Sequence, residues 1–139
     1  MEHQEIFQTK FYVCFLILLL TSCHNYDIEH FIKGEIKTEL LNGVLFLNNK
    51  PFKGILVSYH ENGTKKSEVR YKKGKKYGME KKWYKDGKIK MERKYHNGMK
   101  VNVHKGWWEN EKLKYRYMFD NNGRYDGKVE EWYVNGQKL

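Results

Sequence analysis

Two cysteines, six histidines and a scatter of serines and carboxylates are the side chains from which this 139-residue chain could build covalent, acid–base or metal chemistry. Cys23 has the most particular context. It follows Leu20-Thr21-Ser22 at the end of an apolar run, residues 11–20, that carries no charge. A run of that length is too short to cross a bilayer but suits the apolar region of an export signal. Cys14 lies inside the run and no cysteine follows Cys23, so the rest of the chain offers neither a disulfide framework nor a thiolate zinc site. His60, His96 and His104 have no partner at metal-ligand spacing. Ser58 and Ser67 lack the flanking glycines of a nucleophile elbow. Glu61, Asp86 and Asp126 sit in turn sequences, which accounts for them. The sequence therefore sets out no catalytic group, no metal site and no cofactor, and a non-enzymatic role is expected.

Leu20-Thr21-Ser22-Cys23 resembles the lipobox of bacterial lipoprotein signal peptides, a leucine and two small residues before an invariant cysteine. The resemblance implies a signal peptide over residues 1–22, cleavage before Cys23 and lipid on its thiol. Residues 23–42 then read as a tether containing one short ordered piece. His24 rather than aspartate follows the cysteine, which is similar to outer-membrane sorting in diderm lipoproteins. The expected location is the bacterial cell envelope, lipid-anchored, at the outer membrane.

Elements that could position a site come from internal repetition. Gly54, Gly78, Asn102 and Gly127 open successive copies, at steps of 24, 24 and 25 residues. Tyr59, Trp83, Trp107 and Trp132 share one aromatic slot, with Tyr84, Trp108 and Tyr133 beside three of them; Tyr71, Tyr95 and Phe119 share another. A period of this size marks an array of supersecondary units. Within each unit, apolar and polar residues alternate with period two, as in Leu113, Tyr115, Tyr117 and Phe119 against Lys114, Arg116 and Met118. Asn-Gly at 62–63, 97–98, 122–123 and 135–136 and Asp-Gly at 86–87 and 126–127 suit hairpin turns. Glu111 stands where the third copy should have glycine, so a longer or strained turn is expected there. Pro51, the only proline, belongs at a turn or sheet edge. The fold class is all-β: tandem antiparallel β-hairpin repeats forming an elongated, twisted meander sheet. The repeat domain spans 43–139, as a cap 43–53, repeats 54–77, 78–101 and 102–126, and a half-repeat 127–139. With 16% aromatic residues, rings rather than a thick aliphatic core should cover the sheet.

The order glycine, aromatic pair, Asn/Asp-Gly, aromatic, glycine resembles the bacterial variant of the MORN (membrane occupation and recognition nexus) repeat over residues 44–139. The matching positions are Gly54, Tyr59 and Gly63; Gly78, Trp83 and Gly87; Trp107; and Gly127, Trp132 and Gly136, with Asn102 and Glu111 departing from the pattern. The resemblance extends to YwqK-like antitoxins. It implies a protein- or membrane-binding scaffold of consecutive hairpins without enzymatic chemistry.

Two groups of residues are candidates for binding. Because neighbours on a strand point to opposite faces, the slot of Tyr59, Trp83, Trp107 and Trp132 is expected to cover the core. The slot of Tyr84, Trp108 and Tyr133 is left as either core or recognition strip. The second group is a basic patch of Lys72, Lys73, Lys75, Lys76, Lys81, Lys82, Lys85, Lys88 and Lys90. Residues 64–100 hold 15 lysines and arginines against four acids, a net of +11 within a chain of net +10. Such a patch is commonly a solvated face that discourages edge pairing. Its functional alternatives are a protein partner, anionic lipid or anionic polysaccharide, while an exported protein is poorly placed to meet nucleic acid.

Overall fold

The computed structural model describes residues 30–139; the expected signal peptide, Cys23 and residues 24–29 of the tether lie outside the described residues. The described chain is all-β. Strands β5 (Gly54–Tyr59), β6 (Lys65–Lys72), β7 (Lys75–Trp83), β8 (Ile89–His96), β9 (Met99–Trp107), β10 (Leu113–Phe119) and β11 (Glu130–Glu131) pair in chain order, each antiparallel to the last. β1 (His30–Ile32) adds a parallel strand beside β5. β2 (Thr38–Leu41), β3 (Val44–Leu47) and β4 (Lys50–Pro51) form a separate small sheet. Pro51 lies on its edge strand, where a missing N–H costs no ladder bond. β1 and β2 both fall within the segment read as tether, so ordered structure there exceeds one short piece. Nothing in the local pattern of β1 announces a parallel pairing made across more than twenty residues.

Two kinds of turn alternate along the meander. At one end lie residues 73–74 and 97–98, two-residue loops with both positions at positive φ: Lys73 52°, Gly74 72°, Asn97 49° and Gly98 83°. At the other end, loops 60–64, 84–88, 108–112 and 133–137 share another pattern. The first residue's N–H donates to the fifth carbonyl, and the fourth N–H donates back to the first, as in His60 to Thr64 (2.8 Å) and Gly63 to His60 (2.9 Å). Only the fourth residue has positive φ in these loops. This is the three-residue hairpin that ends in a left-handed bulge position, so Asn62 and Asp86 do not themselves need positive φ. Their side chains cap the loop instead: Asn62 Oδ1 accepts from the Thr64 N–H (3.2 Å) and Asp86 Oδ1 from the Lys88 N–H (3.1 Å). The additional residue of the 25-residue step converts the turn after β10 to this second pattern, with Asp120 N–H donating to the Arg124 carbonyl. Glu111 takes the glycine position at φ 64°, so the third turn keeps its length and carries the strain.

The aliphatic core is small and sits under the cap. Leu45, Phe52 and Leu56 are buried together, with Ile36, Leu47 and Tyr71 packed against them. Gly74 fastens this cap to the repeats: its N–H donates to the Phe52 carbonyl and its carbonyl accepts from the Leu45 N–H, both at 2.8 Å. A Cβ at Gly74 would run into Val44 Cγ1 and lie 2.6 Å from the Leu45 oxygen, a backbone atom that cannot turn aside. Further along the sheet, rings join the buried Met91 and Val101: Tyr95, His104 and Phe119 follow one another with centroids 5.6 Å and 4.6 Å apart.

Gly74→Ala is expected to destabilise the fold by about 2–4 kcal/mol, since both φ and space oppose it. Glu111→Gly should stabilise it by about 1 kcal/mol by removing left-handed strain. Denaturant unfolding of both variants checks the opposite signs.

Candidate binding groove

The site is built by a fault in alternation that recurs in the three hairpins β5–β6, β7–β8 and β9–β10. Tyr59 pairs with Lys65 and Ser58 with Ser67; Trp83 pairs with Ile89 and Lys82 with Met91; Trp107 pairs with Leu113 and Gly106 with Tyr115. The residue skipped each time is Lys66, Lys90 or Lys114. A bulged residue leaves the two-residue rhythm, and its side chain is re-aimed. Strict alternation would put Lys90 opposite Met91 and Arg93, and Lys114 opposite Tyr115. In the structure all of them line one groove of about 350 Å³.

Rings hold these lysines in place. Lys90 Nζ lies 5.0 Å from the centre of the Tyr84 ring and Lys114 Nζ 4.0 Å from that of Trp108. A cation over a ring face is attracted by the ring quadrupole. Trp83, Trp107, Tyr84 and Tyr115 supply the groove's aromatic surface, and His60, Lys82 and Arg93 complete it. Gly106 lets the Tyr115 ring in, since a Cβ there would meet Tyr115 Cζ at 2.6 Å. No carboxylate lines the groove. Of its cations only Lys82 has an acid within 4 Å, Glu80 at 3.9 Å.

One set of hydrogen bonds joins each hairpin to the next. His60 Nε2 donates to the Trp83 carbonyl (3.0 Å), the Tyr84 hydroxyl to the Trp107 carbonyl (2.7 Å) and Trp108 Nε1 to the Trp132 carbonyl (3.0 Å). A carbonyl only accepts, so His60 carries its proton on Nε2. A parallel set joins the loops: Asn62 Nδ2 donates to the Lys85 carbonyl and Asn110 Nδ2 to the Val134 carbonyl, each at 2.8 Å. The Asp86 side chain has no N–H to give, and Lys88 Nζ makes the equivalent bond to the Glu109 carbonyl (3.2 Å).

These positions revise the expected roles of the aromatic slots. Trp83 and Tyr84 line the same groove, as Trp107 does, rather than one ring facing each way: β7 ends at Trp83, and Tyr84 is the first residue of the loop, outside the strand's alternation. Trp83, Trp107 and Trp132 are half-buried, and no ring-to-ring stacking among them is found in the described residues. The slot of Tyr71, Tyr95 and Phe119 makes the ring contacts instead. Tyr59 and Tyr133, at the ends of the array, are 47% and 53% exposed. The basic patch is not one surface. Lys72 and Lys73 sit at one turn end and Lys85 at the other. Lys75 lies against Gly98, and Lys76 pairs with Glu80 at 2.9 Å. Lys81 pairs with Glu92 at 3.2 Å and Lys88 with Asp86 at 3.3 Å. Only Lys82 and Lys90 enter the groove; Lys66, Arg93 and Lys114 join them by virtue of bulges and register that composition does not reveal.

Beside the groove runs a buried polar row. Leu56, Glu80 and His104 are equivalent at 24-residue steps, and all are buried, Glu80 at 3% exposure and His104 at 1%. Burial alone would raise Glu80, but the Lys76 ammonium, a Tyr95 hydrogen bond and the Lys82 charge outweigh it and hold the carboxyl below its usual range. Burial and the nearby Glu80 charge push the Tyr95 hydroxyl up to about 12. His104 Nε2 donates to the Lys94 carbonyl at 2.9 Å. Burial, helped by the charges of Arg93 and Lys100, keeps its imidazole below the ordinary value of 6.5. Among the described residues no group of three or more histidines, cysteines or carboxylates is placed to hold a metal.

Neither a protein-family model nor a curated protein nor a solved structure matches the chain.

The depressed His104 fixes the sign of a pH effect. The unfolded chain takes up the proton first, so this group's stabilisation is complete above about 6.5 and is lost as pH falls through the folded value. Glu80, also depressed, adds a second loss only below about 4.5, near its own unfolded value. Melting temperature should fall between pH 7 and pH 5, and His104→Gln should flatten that fall; a wild-type slope retained in the variant would contradict the assignment.

Proposed function

We propose that the chain is a non-catalytic binding scaffold, held at a membrane by lipid on Cys23, whose groove receives the acidic surface of a protein partner. The observation that carries this reading is a groove lined by five lysine and arginine side chains and four rings with no carboxylate among them. Unpaired cations between aromatic faces combine long-range steering of an acidic partner with the residue types that dominate interface energies. The lysines that the ladder of rings and carbonyls positions are already ordered, so binding costs little side-chain freedom. The likeness of the hairpin pattern to MORN-variant repeats points the same way, and a toxin neutralised by a YwqK-like antitoxin is one form such a partner could take. A flat anionic membrane is a poorer match, because the lysines outside the groove are divided between both faces and both ends of the sheet.

Photocrosslinking residues placed at positions 90 and 114 in cells of the native host should give a discrete protein adduct, whereas positions 81 and 105 should not. Adducts from positions 81 and 105 alone, or lipid adducts alone, would contradict the proposal. The anchor is tested separately: a palmitate analogue should label the wild type and leave Cys23→Ser unlabelled.

A further inference from the structure

The geometry points to one kind of occupant: we propose that the groove takes an acidic segment in polyproline II conformation, laid across the strands, with a carboxylate at every third residue. This rests on the scaffold reading and names the part of the partner that enters.

Lys66, Lys90 and Lys114 hold the same bulge position in β6, β8 and β10, which are alternate strands of one sheet. Neighbouring strands lie about 4.8 Å apart, so the lysines form a row across the strands with a step of about 9.6 Å. A ligand that meets them all must present anionic groups along one edge at that step. Polyproline II has three residues per turn and rises 3.1 Å per residue, which returns the same edge about every 9.3 Å. An extended β-strand fails this test, because side chains alternate with period two and its third residues point to opposite sides. An α-helix brings its face round about every 5.4 Å, out of step with the row.

The surface between the lysines suits the same backbone. The Trp83 and Trp107 indoles line the groove, and neither indole N–H has a hydrogen-bond partner among the described residues. Polyproline II makes no internal hydrogen bonds, so its carbonyls are free to accept from such donors, and aromatic-lined grooves receive its flat rings. Arg93 adds a further cation beside the row, its Nη2 donating to the Tyr115 hydroxyl at 3.2 Å. A carboxylate on the ligand would meet no opposing acid in the groove.

The test uses the full chain in detergent and a fluorescent peptide of four Glu-Pro-Pro repeats. A control peptide has the same composition with its glutamates together, and polygalacturonate and a single-stranded DNA oligonucleotide serve as other polyanions. The repeat peptide should bind, weakening as salt rises, and the control should bind about tenfold more weakly. Lys66→Ala, Lys90→Ala and Lys114→Ala combined should weaken the repeat peptide about tenfold, the sum of three partly screened ion pairs. Lys81→Ala, Lys94→Ala and Lys105→Ala combined remove equal charge elsewhere and should leave binding unchanged. Lys90→Ala alone reads the same effect should the triple variant fold poorly. Equal binding of the two peptides overturns the proposal and leaves the groove as a binding site for acidic protein. Binding of polygalacturonate or DNA with neither peptide bound also overturns it, and gives the groove to that class. No binding of any probe, with both triple variants behaving alike, overturns this proposal and the scaffold reading together.

Discussion

A two-stranded hairpin in water is marginal, and a chain made of hairpins needs something that fixes each to the next. Here the backbone ladder is supplemented by a side chain at the mouth of each turn that donates to the carbonyl of the tryptophan one hairpin further on. The donor is a histidine, then a tyrosine, then a tryptophan. What the position demands is a ring that can lie against its neighbour and end in an N–H or O–H. Each bond is worth only about 1 kcal/mol, but it also sets the angle between units, and the groove inherits its shape from that angle. Glycine N–H groups at the opposite turns do the same from the other end, Gly74 to the Phe52 carbonyl and Gly98 to the Lys76 carbonyl.

Such a sheet is thin, and its interior is accordingly polar wherever aliphatics run out. The row Leu56, Glu80, His104 shows the progression from the capped end outward. Residues 52, 76 and 100 show it again. Phe52 packs its ring on Tyr71, while Lys76 and Lys100 put ammonium groups 4.9 Å and 5.3 Å from the Tyr95 and Phe119 ring centres. A buried carboxylate survives here because Lys76 and Tyr95 satisfy it, and a buried histidine because it stays neutral and donates to a backbone oxygen.

Much of the architecture was legible in residue types. The 24-residue step, the Asn-Gly and Asp-Gly pairs and the alternation of rings with charges lead directly to seven antiparallel strands in chain order. The extra residue before Gly123 marks the turn that changes type. What alternation could not convey is the bulge. One skipped residue in each of the hairpins β5–β6, β7–β8 and β9–β10 moves Lys66, Lys90 and Lys114 to the face opposite the one that parity assigns. The skipped residue lies inside the strand, beyond the loop, where the Asn-Gly and Asp-Gly pairs carry no information about it. The parallel pairing of β1 with β5 was illegible for another reason: it depends on tertiary neighbours and leaves no local periodic mark.

These bulges turn Lys90 and Lys114 onto rings beside the groove. Proton–carbon correlation spectra of the lysine side chains measure this placement directly. With Lys114 Nζ 4.0 Å from the Trp108 ring centre, the Lys114 ε-protons should be shifted upfield by the ring current, and Trp108→Leu should return them to ordinary positions. Ordinary shifts for the Lys90 and Lys114 ε-protons in the wild type would place those side chains on the other face and contradict the account.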